Sequence, residues 1–252
     1  MNNNSRVVVV TGVSQGIGYS ICETYLKNGD IVIGCACEPE NKNISLLAEK
    51  YIDNFHYYEV DVSKKDEIIS FSKIVSENFG VINILVSNAG KNIFKGIDCE
   101  EEDWDHNFDL NLKSHWRMAK AFKPLLEKSN GVIIIITSNH AYHTLPECAP
   151  YNISKGALLS LVQSLMLNWG PTIRTVGIAP GFIDTEGNQT YFDSFADSHK
   201  ARQEIENKHC VKRIGKPEEV GKLCLFLSSN DAGFIAGTTI LIDGGRSAVM
   251  QD

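Results

Sequence analysis

Val7-Val8-Val9-Val10-Thr11-Gly12-Val13-Ser14-Gln15-Gly16-Ile17-Gly18 is the stretch whose reading decides the fold. Its four valines form a β-branched run without polar alternation, which reads as a strand buried on both faces of a parallel sheet. Beyond the turn, Ile17, Ile21, Cys22, Tyr25 and Leu26 recur at helical spacing and give one apolar face. A glycine-rich turn between such a strand and such a helix lets the backbone approach a pyrophosphate closely. The helix N-terminus adds free N–H groups and a favourable dipole. The glycines are spaced Gly-x-x-x-Gly-x-Gly, not the Gly-x-Gly-x-x-Gly of the common dinucleotide fingerprint.

Outward from this turn the chain alternates strand and helix patterns without a long linker, repeat or low-complexity tract. Strands are expected at Val7–Val10, Ile31–Cys35, Phe55–Val60, Ile84–Ser87, Val132–Thr137, Thr175–Ala179 and Thr239–Ile242. Helices are expected at Gly16–Asn28, Ile44–Tyr51, Lys64–Phe79, Trp104–Leu126, Tyr151–Trp169 and Pro217–Leu227. Ser63 signals one helix start, and Pro217 with Glu218-Glu219 another. Such alternation implies right-handed βαβ crossovers and a parallel sheet covered on both faces. The expectation is an α/β fold: a single-domain, Rossmann-like, doubly wound sheet of about seven parallel strands with helices on both faces. One segment breaks the rhythm. Phe182 to Cys210 is long, acidic and aromatic, and it follows the sixth strand at the edge where such sheets bind ligands. It reads as a substrate lid around 182–210.

Tyr151-Asn152-Ile153-Ser154-Lys155 places a phenol and an ammonium on one helix face. A phenol titrates near pH 10 and is a poor acid–base group at neutrality. An ammonium roughly 4 Å away would contribute about 4 kcal/mol at an effective dielectric near 20, roughly three pKa units. The expectation is a tyrosine brought into working range by its lysine.

With these motifs in order, the chain resembles the short-chain dehydrogenase/reductase family over nearly all its length. The glycine turn matches that family's Thr-Gly-x-x-x-Gly-x-Gly, and Asp61-Val62 its adenine-contacting pair after the third strand. Ser87-Asn88-Ala89-Gly90 matches Asn-Asn-Ala-Gly, with serine replacing the first asparagine. Asn111, Ser138, Tyr151 and Lys155 fall where the family keeps its catalytic tetrad. Pro180-Gly181 with Thr185 resembles its nicotinamide-side motif, and Asp243-Gly244-Gly245 its C-terminal signature. The chain departs at Asn83, where the family has aspartate, and at Val176, where it has asparagine; both positions are expected to be architectural.

The resemblance implies one NAD(P)-binding domain over residues 1–252 and hydride transfer between nicotinamide and a secondary alcohol or ketone. Tyr151 would exchange the proton with the substrate oxygen, which the Ser138 hydroxyl would also bond. Lys155 would tune Tyr151 and bind the nicotinamide ribose, and Asn111 would hold a water in a proton relay. The cofactor-binding set is Gly12, Ser14, Gln15, Gly16, Ile17, Gly18, Glu38, Asp61, Val62, Asn88, Ala89, Gly90, Tyr151, Lys155, Pro180, Gly181, Ile183 and Thr185. NAD is expected over NADP, without excluding the latter. Gln15 sits where a cation would meet a 2′-phosphate, and Asn28 to Asn41 contains no lysine or arginine. Glu38 lies twenty residues beyond Gly18, about where a carboxylate meets ribose hydroxyls. Ala36 stands where many NAD-dependent relatives have aspartate, and Lys42 is the nearest cation that follows.

Ser138, Asn139, His140, Tyr151 and Glu186 are the substrate-site candidates. With His143, Glu147, Asn188 and Gln189 they make a polar pocket, suited to a sugar, polyol or hydroxy acid rather than a steroid. No third ligand at a fixed spacing joins His140 and His143, so no metal site is expected. A 3-oxoacyl-[acyl-carrier-protein] reductase is the alternative enzyme. Lys212, Arg213 and Lys216 would dock its acidic carrier, against a net charge of −7. A non-catalytic nucleotide sensor or scaffold is the alternative of another class, and the filled tetrad argues against it.

Apolar content of 43 % and charged content of 22 % describe a soluble globular chain. The net charge argues against nucleic acid or an anionic membrane as partner. Seven cysteines without a Cys-x-x-Cys fit a reducing compartment, with Cys35 and Cys37 read as small core residues. Met1-Asn2-Asn3-Asn4-Ser5-Arg6 is not followed by a signal-type apolar run, so a cytoplasmic setting is expected. A homotetramer is implied by the family and favoured by Leu158, Leu159, Val162, Leu165 and Met166, which make one helix apolar over more than one face.

Overall fold

The computed structural model describes residues 5–249, so the outer ends of the expected 1–252 domain and the Met1 to Asn4 stretch lie outside the described residues. Seven parallel strands form one sheet: β1 (Val7–Thr11), β2 (Ile31–Ala36), β3 (Phe55–Glu59), β4 (Ile84–Ser87), β5 (Val132–Ile136), β6 (Arg174–Pro180) and β7 (Thr239–Ile242). Their order is β3-β2-β1-β4-β5-β6-β7. The order reverses between β1 and β4, where doubly wound sheets open a crevice at the strands' carboxyl ends.

The helices are α1 (Gly16–Lys27), α2 (Lys42–Lys50), α3 (Lys65–Phe79), α4 (Glu101–Phe108), α5 (Ser114–Glu127), α6 (Tyr151–Trp169), α7 (Glu186–Asp193), α8 (Ser198–Asn207) and α9 (Pro217–Leu227). They cover both faces, because strand residues alternate sides. Val8, Val10, Ile134 and Ile136 pack with Ile21, Tyr25, Leu47 and Val220 of α1, α2 and α9. Val7, Val9, Ile133 and Ile135 pack with Phe71, Phe122, Leu158 and Val162 of α3, α5 and α6. Each fully buried side chain of this size contributes about 1.5–3 kcal/mol.

Three local readings need correction. The helix expected across Trp104–Leu126 is divided by a π-helical turn at Asp109–Lys113. The apolar periodicity continues through that turn, so sequence pattern alone does not register it. Ser63 does not cap α3, which begins after Lys64. Asp61 draws it away, accepting from the Ser63 hydroxyl at 2.7 Å and its N–H at 3.0 Å, while Glu67 reaches back to the Asp61 N–H at 2.7 Å. Cys37 is exposed rather than in the core, because β2 ends at Ala36. Phe182 to Cys210 carries two helices, α7 and α8, around a small cluster of Phe192, Ile205 and Ile214.

Both departures from the family pattern are accommodated. Asn83 Oδ1 accepts from the Val7 N–H at 2.8 Å, tying β4 to β1. Val176 is fully buried in the sheet opposite Ile134.

Candidate active site

The crevice is walled by the loops after β1, β4, β5 and β6. After β1, Gly12 and Gly16 have φ of +73° and +57°, where a side chain would be strained. A Cβ on Gly18 would collide with the Gly12 carbonyl, and one on Gly16 would come within 3.3 Å of Thr185 Cγ2. The turn is thus a cradle that only glycines leave open. Gln15 precedes α1 without a side-chain cap, and the first turn of α1 has no acidic residue. The free N–H groups there suit an anion such as a coenzyme pyrophosphate. Ser14 is anchored from the far side, its carbonyl accepting from Asn41 Nδ2 and Asn43 Nδ2 at 3.2 Å each.

After β4, Asn88 Nδ2 bonds the Thr11 carbonyl at 2.9 Å, and the Thr11 hydroxyl accepts from the Asn88 and Ala89 N–H groups at 2.9 Å. These bonds hold Asn88, Ala89 and Gly90 across from the glycine turn. A Cβ on Gly90 would stand 2.7 Å from Asn111 Oδ1 and 3.3 Å from Lys155 Nζ, so both polar groups converge there. Asp61 and Val62 follow β3, with Val62 buried in the core. Glu38 is exposed beyond β2, its carbonyl bonded by the Tyr57 hydroxyl. After β6, Pro180 pairs with Ile242, Gly181 lies close against Asp243, and Ile183 is buried with its carbonyl bonded by Asn188 Nδ2 at 2.6 Å.

The four tetrad positions meet at the carboxyl ends of β4 and β5. Asn111 sits on the π turn, where irregular helix geometry often marks function. Its side chain accepts from the Lys91 N–H and donates to the Lys91 carbonyl, both at 2.9 Å, and donates to Asn107 Oδ1 at 2.6 Å. Asn107 in turn donates to the Pro150 carbonyl at 3.1 Å, so this chain of bonds fixes the start of α6, where Tyr151 stands. Ser138 accepts from the His140 N–H at 3.1 Å. Lys155 Nζ donates to the Ile136 carbonyl at 3.3 Å and lies 5.7 Å from the centre of the Tyr151 ring.

Burial dominates the electrostatics. It pushes the Tyr151 phenol up to about 12, although hydrogen bonding with Ser138 pulls the other way. It also pushes the Lys155 ammonium down to about 8. The tyrosine's shift therefore runs opposite to the sequence expectation. Each group is removed from water, and desolvation disfavours the charged form of both.

Of the substrate-site candidates, Ser138, Asn139, His140 and Tyr151 come together. The His140 ring is 6.0 Å and the Phe94 ring 5.2 Å from that of Tyr151, both edge-on. Glu186 is exposed in the first turn of α7. A cavity of about 240 Å³ continues from this group, lined by Asn139, His140, His143, Thr144, Leu145, Arg246, Ser247 and Val249. Among the described residues, no group of three histidine, cysteine or carboxylate side chains could hold a metal.

Sequence reasoning missed several residues here. Asn107, Phe94 and Arg246 belong to no quoted motif. His115 could have been suspected from the serine at position 87, which leaves a donor position to be refilled. Ser87 Oγ and His115 Nδ1 are 2.7 Å apart, both buried, and His115 is held well below its ordinary pKa by burial and by the Lys155 charge.

A family model described as enoyl-(acyl carrier protein) reductase matches residues 12–247. Dehydrogenase/reductase SDR family member 4 of Sus scrofa is 33 % identical over 251 residues, covering 97 % of this chain and 88 % of that protein. Thermoplasma acidophilum aldohexose dehydrogenase superposes with a TM-score of 0.90 at 29 % identity, covering 99 % of this chain and 96 % of the other. A putative gluconate dehydrogenase from Agrobacterium tumefaciens gives 0.88 at 25 % identity, covering 97 % of each.

Proposed function

The chain belongs to the short-chain dehydrogenase/reductase family, and we propose that it interconverts a secondary alcohol and a ketone on a small polar substrate, with NAD as preferred coenzyme. The observation that carries this reading is the meeting of Tyr151, Ser138 and Lys155 beside a turn that glycines keep open to close approach of a ligand. When bound, the nicotinamide supplies or accepts the hydride at the carbon bearing the substrate oxygen. Tyr151 gives that oxygen its proton in reduction and removes it in oxidation. Ser138 bonds the same oxygen and orients it. Lys155 binds the nicotinamide ribose and steadies the phenolate, and Asn111 holds the water through which the lysine exchanges protons. Gly12, Ser14, Gln15, Gly16, Ile17 and Gly18 receive the pyrophosphate side and Asp61 and Val62 the adenine side; Asn88, Ala89 and Gly90 wall the coenzyme crevice opposite the glycine turn, with Gly90 next to Lys155; Pro180, Gly181, Ile183 and Thr185 receive the nicotinamide.

The substrate class is a sugar, polyol or hydroxy acid. The polar lining of the cavity supports this, as do the sugar-type substrates in the names of two structural neighbours. The acyl-carrier reading loses support, because Arg213 of its docking cluster is paired with Glu219 at 2.6 Å. The α7–α8 segment serves as the lid. It has its own small core, and Arg202 clamps it to Asp184 through two nitrogens. All seven cysteines are unpaired, which supports a reducing, cytoplasmic setting. Among the described residues no helix is long and apolar enough to cross a membrane.

A screen of polyols, sugars and hydroxy acids with both coenzymes, followed at the nicotinamide absorbance, tests this function. Tyr151→Phe should abolish turnover on every substrate found while leaving coenzyme affinity near that of the parent. Comparable kcat in variant and parent would remove Tyr151 from its role.

A further inference from the structure

We propose that Arg246 is the specificity-determining group of the substrate cavity and that it binds an oxyanion, so that the substrate is a hydroxy compound carrying a carboxylate or phosphate at the end remote from the reacting carbon. This rests on the dehydrogenase reading above and narrows it. The chain has six arginines. Five have partners: Arg6 with Asp30, Arg117 with Asp109, Arg202 with Asp184, Arg213 with Glu219, and Arg174 with three backbone carbonyls. Arg246 alone makes no side-chain hydrogen bond or ion pair among the described residues, and its Nη1 is buried without a partner.

The nearest carboxylate is occupied elsewhere. Asp243 accepts from the Gly245 N–H at 3.0 Å and from the Ser247 N–H at 2.8 Å, which folds the Arg246–Ala248 turn. Two neutral groups nearby are also left without partners, Ser247 Oγ and His209 Nε2. An arginine stays charged even when burial lowers its pKa, as it does here. A half-buried guanidinium that feels the Asp243 charge but is bonded to no carboxylate is costly to the fold, and an incoming oxyanion reduces that cost.

The position fits a substrate subsite. Arg246 lines the cavity with Asn139 and His140, which also adjoin Ser138 and Tyr151. Among the described residues no carboxylate lines that cavity, although the chain's net charge is −7. The His140 ring, whose pKa is lowered by burial and then by the Arg246 charge, remains a neutral hydrogen-bonding group. At about 240 Å³ the space lies below the roughly 300–1,000 Å³ of pockets for drug-sized ligands, so it takes a small molecule. An oxyanion on the guanidinium at one end would leave the hydroxylated end towards Tyr151.

The test compares kcat/KM of the full chain on six-carbon aldonates, neutral aldohexoses and hexose 6-phosphates, in the parent, Arg246→Gln and Arg246→Lys. The parent should prefer an anionic substrate over its neutral counterpart. Arg246→Gln should cut that preference by tenfold or more, about 1.4 kcal/mol, chiefly through KM. Arg246→Lys should keep part of it. Preference for the aldonate identifies a carboxylate and preference for the sugar phosphate a phosphate monoester; either supports the oxyanion subsite. Should Arg246→Gln not fold, competitive inhibition of the parent by inorganic phosphate, weakened in Arg246→Lys, supports the subsite equally, and its absence in the parent overturns it. Equal losses on anionic and neutral substrates, or a parent that prefers the neutral sugar, would overturn the proposal and leave the dehydrogenase reading intact. No coenzyme-dependent turnover of any alcohol or ketone would instead overturn that reading.

Discussion

Replacing Lys155 by methionine should inactivate the protein and make it more stable. Lys155 is almost fully buried, and its only hydrogen bond among the described residues is to the Ile136 carbonyl at 3.3 Å. Burial lowers its pKa from 10.5 to about 8. That difference corresponds to about 3 kcal/mol against the folded state wherever the lysine is charged in both states. Methionine has a similar length and no charge, so Lys155→Met removes that cost and forfeits one hydrogen bond worth about 1 kcal/mol. A net gain of about 2 kcal/mol is expected at neutral pH, or roughly 4–8 °C in Tm for a chain of this size.

The sign with pH follows from linkage. Below pH 8 the parent carries the full cost, because both states are protonated. Between the folded pKa and 10.5 the unfolded chain binds more protons, so the parent gains stability as pH rises, while the variant lacks this dependence. The gap in urea-unfolding free energy should shrink by about 2 kcal/mol between pH 7 and about pH 9.5. Urea titrations of both proteins at one protein concentration, with turnover measured alongside, decide it. A variant less stable than the parent at pH 7, or a gap that widens with pH, would refute the reasoning.

Three further outcomes are expected. Ser87→Ala strands the buried His115 ring and should cost about 1–3 kcal/mol in urea unfolding, most of it recovered in the Ser87→Ala/His115→Leu double variant, where neither polar partner remains; additive losses would contradict this. NAD should exceed NADP in kcat/KM, since Glu38 repels a 2′-phosphate. A tenfold preference for NADP would instead show that Lys42 prevails, at the start of α2 where Asn41 and Asn43 hold the backbone to Ser14. Light scattering should show a homotetramer, because Trp116 on α5, Leu167 on α6, Leu241 on β7 and Phe234 are large apolar side chains left exposed; a monomer of 27.9 kDa would end the idea.

The sheet was legible because its strands are buried on both faces and therefore appear as uninterrupted apolar runs such as Val7–Val10 and Ile133–Ile136. The glycine turn was legible because no other residue can replace its conformation. What escaped depends on three-dimensional neighbours. The π turn at Asp109–Lys113 leaves the apolar spacing intact, so a continuous helix was the natural reading. The spacing of Tyr151 and Lys155 carries their proximity but not their burial, and burial reverses the expected shift of the phenol. Cys37 lies one residue past the end of β2, and an edge cysteine and a core cysteine share the same letter. Arg246 is an ordinary C-terminal arginine until it is seen that its guanidinium pairs with no carboxylate among the described residues.

The buried polar atoms left without partners show where this chain departs from pure stability. Among the described residues they are His115 Nε2, Asn152 Oδ1, Thr175 Oγ1, His209 Nε2, Arg246 Nη1 and Ser247 Oγ. Thr175 lies inside β6, and the rest gather near the carboxyl edge: Asn152 follows Tyr151, His115 is close enough to feel the Lys155 charge, and the other three surround the C-terminal turn. Each such atom costs roughly 1–3 kcal/mol, an amount the two apolar layers can offset many times over. A fold selected for stability alone would have paired or replaced them. Their concentration at one end of the sheet follows if the groups are kept for molecules that arrive later, which is the reasoning behind the proposed role of Arg246.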